Sequence, residues 1–306
     1  MGINNCQNAR YNGTVAVWYT SHSQSDSRDW NNIKEFGGQF HPLSGYYKSN
    51  DINILRKQLH EMRRAGIDLI IYDCYGTRNW SIDDLPKDET LKLLMNELSN
   101  QDNDSRKLKL CIWLEKYASI PTIEQYEFAL NYVKENIISN DFYFYYNGKP
   151  LVVTYLNGNS SAIDELEHKN TFFELKRIRP YCSDVWSYIE YYPQMLRKGW
   201  MSAAPGFDAY LEDAYLEKYV KNVENPDFNK VREKAAKADR ENGEYYKKQL
   251  TWAKKADPKI IFVSGWNDWQ YGNHIEPAVE YGYFYVDLTA EVLGRKDETK
   301  PYRHDN

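Results

Sequence analysis

Lys259-Ile260-Ile261-Phe262-Val263-Ser264, followed closely by Trp266-Asn267-Asp268-Trp269, is the stretch on which the reading of the fold turns. The first run is β-branched and aromatic with no alternating polar face, which marks a strand covered on both sides, as in a parallel sheet. Glu244 to Lys255, just before it, has helical spacing. A helix that feeds a doubly covered strand is the repeating unit of an α/β sheet.

Outward from this strand the same alternation recurs. Thr14 to Tyr19 is a strand-like run, and a polar, Gly-containing loop carries the chain to Asn50. Asp51 reads as an N-cap, with Ile52, Leu55, Leu59 and Met62 at helical spacing up to Gly66. Ile67 to Tyr72 is the next strand, ending at Asp73. A helix from Glu89 to Leu98 leads to Leu108–Leu114, which ends at Glu115. Ile123 to Ile138 is again helical, and Phe142 to Tyr146 turns at Asn147-Gly148 into Pro150–Tyr155. Weaker runs at Phe172–Ile178, Val185–Ile189 and Trp200–Ala204 complete eight barrel strands. The expected fold is α/β, a (β/α)8 TIM barrel: a single domain over residues 1–306 with long βα loops. The charged, Pro-interrupted segment around 212–243 is expected to be a helical insertion.

Composition narrows the function classes. A net charge of −5 without a basic stripe argues against nucleic acid. No run approaches the roughly 18 apolar residues of a membrane span. Met1 to Cys6 lacks the basic and apolar regions of a signal peptide, which leaves secreted, periplasmic and cytoplasmic locations open. Cys6, Cys74, Cys111 and Cys182 lack metal-like spacing, and Cys74 and Cys111 read as buried thiols. The histidines form no zinc motif, and neither a Gly-x-Ser-x-Gly elbow nor a Gly-rich phosphate loop occurs. No metal or cofactor is expected, and the oligomeric state is left open. The informative excess is aromatic: 27 Tyr, 9 Trp and 11 Phe. Flat rings with polar edges suit sugar binding, although base bias in a Tyr-, Asn- and Lys-rich chain accounts for part of this.

In this architecture the active site lies at the C-terminal strand ends. The acids predicted there are Asp73, Glu115, Glu190, Asp208, Asp268 and Glu276. Trp18, Tyr19, Tyr75, Tyr155, Trp186, Trp266 and Trp269 fall at the same level, and His41 and His274 lie in strand-following loops. Carboxylates among flat rings are what glycoside hydrolysis requires. Each acid also has a plainer reading, as a cap on the helix that follows its strand. A set of them converging on one face is the more telling signal, because mutual repulsion is costly unless chemistry uses it.

Several ordered motifs then carry a resemblance. Phe40-His41-Pro42-Leu43-Ser44-Gly45-Tyr46-Tyr47, Tyr146-Asn147-Gly148-Lys149-Pro150, Pro205-Gly206-Phe207-Asp208 and Trp266-Asn267-Asp268-Trp269 through Gly272-Asn273-His274-Ile275-Glu276-Pro277 resemble family 99 glycoside hydrolases. The likeness extends to family 71 and to related barrel proteins of polysaccharide loci. It implies an endo-acting, α-mannosidase-like activity on a polysaccharide or glycan. In family 99 the last-strand motif carries two catalytic glutamates, one acting on the 2-hydroxyl and one as general acid/base. The first position is Asp268 here. The second is Tyr271, whose phenol, with an ordinary pKa of about 10, does not replace a carboxyl. The expected catalytic set is therefore Asp268 with Glu115 or Glu190. Trp18, Tyr19, His41, Asp73, Tyr75, Tyr155, Trp186, Asp208, Trp266, Asn267, Trp269, Tyr271, His274 and Glu276 are expected around the sugar. The alternative is a barrel that binds glycan, or serves polysaccharide biosynthesis, after losing the second glutamate.

Overall fold

A computed structural model describes residues 10–21, 28–74, 82–101, 106–114, 122–155, 160–178, 196 and 199–296. Ten strands occur among them: β1 (Thr14–Thr20), β2 (Leu69–Asp73), β3 (Lys109–Leu114), β4 (Tyr145–Tyr146), β5 (Lys149–Tyr155), β6 (Glu174–Ile178), β7 (Trp200–Ala203), β8 (Phe207–Asp208), β9 (Lys237–Ala238) and β10 (Ile260–Val263). The helices are α1 (Arg28–Phe36), α2 (Ile52–Arg64), α3 (Glu89–Ser99), α4 (Ile123–Asn136), α5 (Ser160–Lys169), α6 (Tyr210–Tyr215), α7 (Phe228–Lys234), α8 (Glu244–Ala256) and α9 (Phe284–Leu293).

The parallel strands follow the order β6-β5-β3-β2-β1-β10-β7, so the last strand in the chain lies beside the first. That neighbourhood is how a (β/α)8 barrel closes. Side chains confirm the curl. Tyr146, beside β5, meets Trp200 of β7 edge-on at 5.8 Å, and Lys259 Nζ donates to Asn147 Oδ1 at 3.0 Å. The expected strand at Val185–Ile189 lies outside the described residues. The expected arm Phe142–Tyr146 is a strand only at Tyr145–Tyr146, while Tyr143 bridges to Leu110 of β3. Asn147 (φ 51) and Gly148 (φ 79) supply the paired left-handed residues of a tight hairpin turn into β5.

Period-two alternation sorts β1 to β3 between two cores. Ala16, Trp18, Leu69, Ile71, Cys111 and Trp113 point into the barrel, where they join Leu151, Val153, Trp200, Ile260 and Phe262. The interior is thus filled with large rings, a packed core rather than a pore. Val15, Val17, Tyr19, Ile70 and Tyr72 point outward against helices such as α2, which buries Leu55, Leu59 and Met62. Asp51 caps α2 by accepting from the Asn53 N–H. Gly66 follows at φ +79, where a Cβ would stand 2.7 Å from Cβ of Arg295. Cys74 and Cys111 are buried free thiols.

The charged segment after β7 does more than decorate the surface. β8 and β9 form an antiparallel ribbon, and α6 between them buries Tyr210, Leu211, Ala214 and Tyr215. These pack with Trp30, Ile33 and Phe36 of α1 and with Trp269, in a third cluster beside the barrel. α7 and the π-helical turn Leu216–Val220 expose every side chain or leave it half-buried.

Candidate active site

Strand order brings Trp18, Asp73 and Trp113 to one end of the barrel, facing inward. Trp18 stacks on Trp113 at 5.1 Å and donates its indole N–H to Asp73 Oδ2 at 2.9 Å. The chain leaving β10 arrives beside them: Trp266 N–H donates to the Trp18 carbonyl at 2.6 Å. Gly265 makes the close approach possible. A Cβ there would lie 3.2 Å from Cβ of Asp268 and 3.5 Å from the Trp18 ring. Asp268 is therefore seated next to the Trp18–Asp73 pair.

The surroundings of Asp268 favour its proton. The side chain is 5% exposed, and Oδ2 has no hydrogen-bond partner. Burial raises its pKa well above the usual aspartate range, the carboxylates of Asp29 and Asp73 add to this, and the Tyr271 N–H and the Asn273 amide work against it. Burial and neighbouring negative charge thus both favour the protonated form of Asp268.

Glu276, farther along the same loop, is in the opposite condition. Gln58 Nε2 donates to Oε1 at 2.6 Å, and Tyr47 OH (2.7 Å) and Trp269 Nε1 (2.9 Å) donate to Oε2. These three donors are neutral and each oxygen is engaged, so Glu276 knits α2, the loop around Tyr47 and the β10 loop together. Asn267 extends the seam by accepting from Thr20 N–H (2.9 Å) and donating to the Thr20 carbonyl (2.8 Å) and Tyr47 OH (3.2 Å).

Several residues expected at the sugar are placed elsewhere. Tyr19 turns outward, stacks on Tyr72 at 5.9 Å and donates to Gln58 Oε1 at 2.9 Å. Trp266 is fully buried in the outer core. Trp269 is 2% exposed, with its ring 3.7 Å from that of His274, so neither indole offers an open face to a ligand. His274 is fully buried, and neither ring nitrogen makes a well-formed hydrogen bond. Burial, with the Arg240 guanidinium second, holds its pKa well below the usual histidine value, so the ring is neutral. His41 is exposed and pairs through Nδ1 with Glu280 at 2.6 Å. Asp208 accepts from Tyr210 N–H at 2.9 Å, a local turn two residues ahead into α6. Tyr271 stacks on Phe207 at 5.5 Å and 11°, while its carbonyl accepts from Asp208 N–H at 2.8 Å. Tyr75, Glu115, Trp186 and Glu190 lie outside the described residues, as does the side chain of Tyr155.

Two further residues, Asp29 and Gln58, bear on the site. Asp29, in the first turn of α1, resembles an ordinary helix N-terminal acid and yet reaches the field of Asp268. Gln58 had a usable signal, being a polar side chain on the apolar stripe that carries Leu55, Leu59 and Met62. Among the described residues no group of three or more His, Cys, Asp or Glu is placed to hold a metal, and no helix is long and apolar enough to cross a membrane.

This geometry can be set against known proteins. A family model described as Glycosyltransferase WbsX matches residues 236–289, well under half of the chain. Comparison with curated proteins gives no match. Among solved structures, the family 99 endo-α-mannosidase from Bacteroides thetaiotaomicron is 17% identical, covers 92% of this chain and 96% of its own, and has a TM-score of 0.64. The same enzyme in complex with bis-tris-propane is 18% identical over the same shares, also at 0.64. A glycoside hydrolase-like protein is 14% identical, covering 94% and 95%, at 0.59. The chain shares the family 99 barrel fold. The resemblance read from its motifs thus extends to nearly the whole architecture.

Proposed function

We propose that this barrel is a glycoside hydrolase acting within a polysaccharide or glycan, with Asp268 as its protonated carboxylic acid. The observation that carries this reading is Asp268 itself: buried, with Oδ2 unpartnered, and raised in pKa beside Asp29 and Asp73. An acid that keeps its proton at pH 7 is suited to donate it to the departing glycosidic oxygen. The acid's role expected of Glu115 or Glu190 thus passes to Asp268, and either glutamate serves as the second carboxylate that assists attack at the anomeric carbon, with water completing the cleavage. Burial, then the charges of Asp29 and of Asp73, which Trp18 holds, favour the proton on Asp268, and the two aspartates present acceptors to sugar hydroxyls. An α-mannosidase-like, endo-acting specificity is supported by the structural relative alone.

The test is release of reducing ends from α-mannan, α-glucan and bacterial exopolysaccharides, with Asp268→Asn as control. The proposal expects turnover on one of these and a loss of about 100-fold or more in the variant, the scale of losing a general acid. Unchanged turnover in Asp268→Asn would remove Asp268 from the mechanism.

A second reading is favoured by two observations, the Glycosyltransferase WbsX match over 236–289 and tyrosine at the second glutamate position. It makes the barrel a binding or biosynthetic protein. Calorimetric binding of a glycan from the same panel, with no product after long incubation at high enzyme concentration, would support it.

A further inference from the structure

A cleft of about 590 Å3 opens beside the barrel, between the β8–β9 ribbon and the start of α9. That volume is in the range of small-molecule sites. A smaller cleft shares Gln39, Phe40, Asp208 and Gly272 with it and reaches Trp269 and Gln270, so its wall leads toward the Asp268 loop. Phe40, Tyr281 and Phe284 line the larger cleft, and Phe284 is 44% exposed. An open ring in a concave wall is a stacking platform for a sugar face.

The lining carries charges of both signs. Its acids accept local hydrogen bonds, Asp208 from Tyr210 N–H, Asp239 from Glu241 N–H at 2.6 Å, and Glu280 from both His41 N–H and the His41 ring. Its bases have no carboxylate partner among the described residues. Lys237 is exposed and makes no ion pair among the described residues. Arg240 is 9% exposed, with Nη2 donating to the carbonyls of Gly272 (2.9 Å) and His274 (2.8 Å). Its guanidinium lies over Tyr285 (4.5 Å), Phe40 (4.6 Å) and Tyr281 (5.3 Å), while Nε and Nη1 meet no acceptor. Among the described residues no carboxylate pairs with it. A buried cation without a counter-ion is costly, and an anion in the adjoining cleft would offset that cost.

We propose that this cleft is a subsite for an anionic sugar residue, its acid group drawn to Lys237 and Arg240 and its ring laid on Phe284. The proposal rests on reading the barrel as carbohydrate-active, and it adds that the recognised glycan is acidic. Saturation-transfer NMR on the full chain, with methyl β-glucuronide, methyl β-glucoside and inorganic phosphate as probes, tests it. The expected result is glucuronide binding roughly tenfold tighter than glucoside, screened by salt as a partly exposed ion pair would be. Lys237→Ala weakens it roughly fivefold, the scale of one such pair, and Phe284→Ala weakens it comparably. Both side chains are exposed, so the fold tolerates their removal. Phosphate competing as well as glucuronide would overturn the sugar subsite, as would equal binding of the two glycosides. Glucuronide binding indifferent to both substitutions would overturn it too. Asp268→Asn leaves glucuronide binding intact, so loss of turnover in that variant is scored separately from failure of the cleft.

Discussion

Asp268 and Glu276 are two carboxylates of one loop with opposite surroundings. Glu276 receives three hydrogen bonds from neutral donors, whereas Oδ2 of Asp268 receives none. Truncating Glu276 to Ala strands the buried N–H and O–H donors of Gln58, Trp269 and Tyr47. The expected loss is about 3–5 kcal/mol of stability, readable as a denaturant midpoint shift; a shift below ~1 kcal/mol would show that the seam is not structural. Sequence separated these two acids only through the family resemblance, which put Asp268 in the catalytic set and Glu276 around the sugar. Both follow the same strand in an aromatic-rich motif, and what distinguishes them comes from α2, Tyr47 and α1, distant in the chain.

At the scale of elements, strands were legible where both faces are apolar and hard to orient for the same reason. Trp18 and Tyr19 are adjacent aromatics, and only the pairing of β1 with β2 reveals that one enters the barrel and the other faces α2. Trp266 and Trp269 looked like a sugar platform because a motif shows ring type but not exposure; α6 and α1 of the third cluster bury Trp269. α2 carries a further consequence. Glu61 is 2% exposed on its inner face, and burial, then the Glu276 charge, raises its pKa from 4.5 to about 7. Between those values the folded chain keeps a proton that the unfolded chain has released, so stability falls as pH rises through this window. Glu61→Gln is expected to exceed wild type in stability above pH 7, by on the order of 1–3 kcal/mol. The gap should close below pH 4.5. Thermal melts at the two pH values check this, and a gap independent of pH would contradict it.

Over the whole molecule, the alternation of strands and helices was enough to predict the barrel, because each βα unit declares itself locally. Closure was less visible. Among the described residues it is marked by Tyr146 meeting Trp200 across the curl, a contact between segments that nothing in the sequence pairs. The segment around 212–243 was legible as charged but not as packed, since its few buried residues, such as Ala214 and Tyr215, are diluted among lysines and glutamates. The barrel, the α1–α6 cluster and the β10 loop together put one carboxyl out of water beside two others, and the functional reading depends on that arrangement. Replacing any one shell residue alters the field, but the proton on Asp268 is the quantity that matters. Difference infrared spectroscopy of wild type against Asp268→Asn at pH 7 reads that proton directly. The account predicts a protonated carboxylic C=O band present in wild type and absent from the variant. A carboxylate band in its place would contradict the central claim.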